Sequence, residues 1–250
     1  MIRLLVKRTI KNKIYWLAIL SALGLLLCSI VYTDPMTGES FTFLTLFYKE
    51  EMQQYLQYGS ISIQGIVMGY GVQNYLWMFA PIIVGIPCVL NQRTERFVLF
   101  RSSKNGYFLS KYISNLLLGG SILLTAQIIF ALIGMALERW IISQTDVLSE
   151  PMIMLNIYMA KRLWEVFCDG VMHAIPGILL AEVIRNKYLI LCIPFVWNYF
   201  FSMFVRRLIP FAVQQYLLPE NNPVALLVEI LWCGIFIKWV AERRCDCGQK

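Results

Sequence analysis

Long apolar runs separated by shorter polar stretches dominate this chain, and the runs are blocks rather than stripes of helical period. Blocks long enough to cross a bilayer predict transmembrane helices, and six are read. They are Ile14–Tyr32, about Val72–Leu90, Tyr112–Leu137, about Trp164–Ile184, Tyr188–Val205 and about Val224–Val240. The first, third and fifth are uncharged, and Pro81 and Pro87 predict kinks in the second. The fourth contains Glu165, Asp169, His173 and Glu182, and the sixth contains Glu229 and Lys238. Before the first span, I-R-L-L-V-K-R-T-I-K-N-K-I alternates basic and apolar residues at near-helical spacing, which predicts a helix along the membrane interface. In the long segment Thr33–Gly71, Phe41–Tyr58 reads as an amphipathic surface helix. The apolar stretch between Arg206 and Pro223 reads as a segment that dips back into the membrane. The expected fold is an all-α polytopic membrane protein forming one transmembrane domain over residues 1–250.

Composition agrees with that pattern. Of 250 residues, 58% are hydrophobic and 15% charged, with a mean hydropathy of +0.62, whereas soluble domains carry roughly 25% charged residues. The net charge of +7 does not point to nucleic acid, because the cations cluster beside the apolar runs, where they meet lipid head groups. With both termini cytoplasmic, sixteen Lys and Arg residues fall inside and six outside, so that orientation is expected. The first run is read as a retained span rather than a cleavable signal. Seven cysteines lie in no regular framework and give no support for structural disulfides. Cys245-Asp-Cys247 is a lone C-x-C without a second pair, which reads as neither a metal nor a redox site.

Several kinds of chemistry are disfavoured by missing motifs. The chain contains neither G-x-x-x-x-G-K-[ST] nor G-x-S-x-G, and one histidine cannot make H-E-x-x-H. No ATP, metal or other cofactor is expected on this chain, and it is not expected to be an enzyme. Glu165, Asp169 and His173 are spaced by four and share a helical face that spans about 12 Å of depth. They could contact a cationic or polar substrate or a neighbouring subunit, with Asp169 and His173 the candidates for a substrate path, or Glu165 could lie among head groups while Asp169 and His173 satisfy each other and nearby backbone. Arg206 and Arg207 could pair with Glu229 across the ends of the last two spans.

The stretch Arg93–Lys111, R-T-E-R-F-V-L-F-R-S-S-K-N-G-Y-F-L-S-K, lies between the second and third spans with five cations and one acid. Phe97-Val-Leu-Phe100 forms an apolar patch between Arg93/Arg96 and Arg101, and Ser102 or Ser103 can cap a following helix. An apolar patch within a basic loop suits docking of a protein better than contact with lipid alone. Glu95-Arg96, Ser103-Lys104, Tyr107 and Lys111 follow the order of the cytoplasmic loop in type-2 ATP-binding-cassette (ABC) transporter permeases, which the chain resembles. It lacks the family's Gly-Thr after the acid and the usual proline, and so resembles a divergent bacterial exporter branch. The resemblance implies a short coupling helix between spans two and three, with Glu95, Arg96, Phe97, Phe100, Arg101 and Lys104 engaging a separate ATPase subunit. It also implies two such ATPases holding ATP and Mg, a second permease, identical or related, and a place in the bacterial cell membrane. The rival expectation is a membrane immunity, sensor or accessory protein that transports nothing.

Overall fold

The computed structural model describes residues 1–33, 38–47, 74–92, 104–142, 153–208, 227–228, 230–236 and 238–239. The chain is mostly helical there, in the order α1 (Ile2–Ile10), α2 (Lys13–Leu27), β1 (Ile30–Thr33), β2 (Ser40–Thr42), a 3-10 turn (Phe43–Phe47), α3 (Asn74–Gln92), α4 (Lys104–Ile142), α5 (Ile153–Val183) and α6 (Lys187–Leu208). Residues 227–228, 230–236 and 238–239 are also helical. Gly106–Leu137 and Ala160–Val183 are long and apolar enough to cross a membrane, and α1 with α2 makes a third if that bent pair is one span. Leu76–Asn91 is a shorter apolar helix. Among the described residues, two or three helices are thus fit to span a bilayer.

Local chemistry sets the helix starts. The Asn12 side chain accepts a hydrogen bond from the Ile14 amide at 3.0 Å and caps α2, while its own backbone is extended. Asn186 does the same for α6 through the Tyr188 amide at 3.0 Å. Pro81, Pro87, Pro176 and Pro194 all lie inside continuous helices; neighbouring helices can satisfy the carbonyls that proline leaves without a donor.

The first span ends earlier than its hydropathy suggests. Helix α2 stops at Leu27, and Ile30–Thr33 pairs antiparallel with Ser40–Thr42 instead of continuing as helix. The expected helix Phe41–Tyr58 is likewise not formed at its start. Phe41 and Thr42 are strand and Phe43–Phe47 a 3-10 turn, while Tyr48–Tyr58 lies outside the described residues. The physical reason is a period of two: Phe41 and Phe43 are both buried, and Phe43 packs on Phe130 of α4 with ring centroids 4.6 Å apart. The hairpin therefore packs against the helical core, a small addition to a mostly helical fold. Gly38, at φ +70°, precedes β2.

The core is built on α4. It packs most extensively against α5 and also against α2 and α3. The α4–α5 crossing is close because glycines face each other: a Cβ on Gly170 would sit 2.8 Å from both the Gly119 carbonyl oxygen and the Gly120 Cα. Small residues let membrane helices approach until their backbones touch, which is where van der Waals packing is strongest. Helix α4 has 39 residues, a length of about 58 Å, so it exceeds a hydrocarbon core of about 30 Å.

Candidate functional site

Of the six residues proposed to engage an ATPase, Glu95, Arg96, Phe97, Phe100 and Arg101 lie outside the described residues. Lys104 opens α4, directly after the expected cap, Ser102 or Ser103. The last part of the motif is thus the first two turns of a long helix. Tyr107 is wholly buried there and Lys111 is 2% exposed. That end of α4 is built into the bundle.

Burial of Lys111 needs a counter-charge, and Glu182 from the far end of α5 provides it. The Lys111 Nζ donates to Glu182 Oε1 at 2.7 Å, with both side chains sealed from solvent. Cys88 of α3, also fully buried, lies within electrostatic reach of both. One turn along α4, Asn115 Oδ1 accepts from Asn91 Nδ2 at 2.6 Å. The Thr9 hydroxyl of α1 points at Asn91 Oδ1 at 3.1 Å and at its own helix's Leu5 carbonyl at 3.0 Å. Two buried polar links, Lys111–Glu182 and Thr9–Asn91–Asn115, therefore lie a turn apart along α4 and draw side chains from α1, α3, α4 and α5. In a low-dielectric interior each bond is worth more than in water, and each group is costly to strand.

Sequence reasoning noted Lys111 and Glu182 separately and did not join them. A signal was present: if adjacent helices run in opposite directions, the start of the third span and the end of the fourth meet at the same face. Asn91 and Asn115 were missed altogether.

The Glu165–Asp169–His173 series behaves differently. Glu165 turns back along its own helix, accepting from Arg162 Nη1 at 2.8 Å and lying 3.9 Å from Lys161 Nζ. Lys161 and Arg162, which precede the apolar block beginning at Trp164, are part of α5, and Arg162 is buried. Asp169 is 3% exposed. His173 Nδ1 lies 2.9 Å from the Asp169 carbonyl oxygen, and its ring meets Trp77 of α3 at a centroid distance of 5.1 Å. Asp169 and His173 are thus together on one helix, with His173 against α3. Glu165 is drawn to its own cations instead.

The expected Glu229 contact with Arg206 and Arg207, the re-entrant segment and the Cys245-Asp-Cys247 tail rest on residues whose side chains or backbone lie outside the description. Among the described residues, no group of three or more His, Cys, Asp and Glu side chains is placed to hold a metal ion. Comparison with protein-family models, with curated proteins and with solved structures returns no match.

Proposed function

We propose that the chain is the membrane-spanning permease subunit of an ABC exporter, moving a peptide-, antibiotic- or lipid-like substrate out of the cell with ATP hydrolysed elsewhere. The observation that carries this reading is the Glu95-Arg96…Ser103-Lys104…Tyr107…Lys111 order between two apolar helices. In this reading the ATP and Mg reside on two partner ATPase subunits, one under the loop of each permease, and the second permease is identical or related. Six spans with both termini cytoplasmic, in a bacterial cytoplasmic membrane, belong to the same proposal.

The geometry of α4 supports it mechanically. A push on the loop enters a helix that is continuous from Lys104 to Ile142. The helix is tied to α5 twice, by Lys111–Glu182 at its base and by the Gly119/Gly120–Gly170 contact further along. Movement of the loop is then passed to two helices together rather than dissipated in one. Asp169 and His173 would flank the substrate path between the two permeases.

The test is direct. Phe97→Asp combined with Phe100→Asp should abolish copurification of the ATPase while the permease still inserts into membranes. Undiminished association would remove the basis of the proposal.

A further inference from the structure

Helix α1 has two sides of unlike chemistry. Leu5 and Thr9 are buried against the bundle, and Thr9 reaches the Asn91–Asn115 pair. The opposite side is basic: Arg3, Lys7, Arg8 and Lys11 on and just after α1, with Lys13 at the start of α2, are exposed. No acidic residue occurs before Asp34, and none of the five cations makes an ion pair among the described residues. Between them Leu4 is 58% exposed and Ile10 38%. A polybasic face with apolar residues set among the charges matches the boundary between head groups and acyl chains.

The bend sets that face beside an apolar one. Helices α1 and α2 meet at 68°, and Trp16 Nε1 donates to the Ile10 carbonyl at 2.9 Å across the elbow. Past the elbow, Ile14, Trp16, Leu17 and Leu20 of α2 are 45–60% exposed and apolar. The basic face is therefore continuous with a surface fit for hydrocarbon, and α1 turns sharply away from the axis of α2.

We infer that α1 is a strap that binds anionic phospholipid on its outer face and, through Thr9, transmits that occupancy to α3 and α4. The occupant is the anionic bilayer itself. Phosphodiester head groups complement the cations, and acyl chains cover Leu4, Ile10 and the exposed side of α2. An acidic protein surface would match the charge but would leave the adjoining apolar face of α2 unexplained.

The experiment uses the full-length chain in nanodiscs of phosphatidylcholine alone or of equimolar phosphatidylcholine and phosphatidylglycerol. Thermal unfolding is followed in both, and retained lipid is counted by native mass spectrometry. The unaltered protein should retain phosphatidylglycerol over phosphatidylcholine by about tenfold or more, given roughly fivefold per cation at an anionic surface. It should also melt higher in the anionic discs. Lys7→Gln/Arg8→Gln/Lys11→Gln should lose both effects while melting as the unaltered protein does in phosphatidylcholine. Lys7→Arg/Lys11→Arg should keep both. Thr9→Val should keep the lipid preference and lose the anionic-disc stabilisation. Absence of a phosphatidylglycerol preference, or its survival in the triple Gln variant, would overturn the inference and leave the face to an acidic protein. A triple variant that melts lower in phosphatidylcholine would overturn it too, by making the cations structural. Full anionic stabilisation in Thr9→Val would overturn the coupling.

Discussion

Helix α5 carries two glutamates whose situations are opposite. Glu165, about a quarter exposed, is held by Arg162 and Lys161 of its own helix, three and four residues away. Glu182 is sealed, and its partner Lys111 lies 71 residues away in sequence on another helix. The first arrangement needs only one turn of a single helix, and Glu165 and Lys161 keep contact with water. The second exists only if the bundle closes, and once it has closed both ions are shut off from water. An acid in an apolar helix is thus not one kind of feature.

That contrast can be broken most severely at Lys111. Lys111→Met should leave Glu182 buried without that cation, destabilising the fold by about 3–5 kcal/mol, and thermal unfolding in a fixed detergent would register it. Adding Glu182→Leu to that variant should recover most of the loss, since paired removal leaves no stranded charge. If the double variant is as unstable as the single one, the ion pair is not the source of the effect.

The glycine crossing comes next. Gly170→Ala should cost about 1–3 kcal/mol, because the added methyl meets α4 backbone rather than a side chain that can turn aside. A melting temperature equal to that of the unaltered protein would show that α4 and α5 can separate freely. The smallest effect belongs to Lys161→Ala. Its side chain is 74% exposed and 3.9 Å from Glu165, so the change should stay within about 0.5 kcal/mol. A larger loss would mean that the local cluster on α5 is structural in the way that the Glu182 end is.

The legibility of the fold followed the same division. The apolar blocks near 72–90, 112–137, 164–184 and 188–205 all became helices, because hydropathy is a property of a segment and survives whatever packs around it. Helix α5 extends eleven residues further N-terminal than its apolar block, through Lys161 and Arg162, whose charges hid a helical stretch. The first block ended early because Ile30–Thr33 found a strand partner in Ser40–Thr42. Its helical reading had no means of weighing that pairing. The F-T-F alternation at Phe41–Phe43 was a strand signal that the longer amphipathic pattern overrode.

For the candidate site, position along a helix was legible and partnership was not. The spacing of Asp169 and His173 correctly put them together, since residues four apart are neighbours on any helix. Their connection runs through the Asp169 carbonyl rather than its carboxylate, a detail that spacing cannot contain.

By itself, the sequence determined where apolar blocks become helices and which charges flank them. These depend on residues within a few positions of each other. Only the tertiary structure decided that Lys111 meets Glu182, that Thr9, Asn91 and Asn115 form one chain, and that Gly170 sits against Gly119 and Gly120. Each of those contacts joins segments far apart in the chain, and it acquires its energy only when the helices that carry it have already come together.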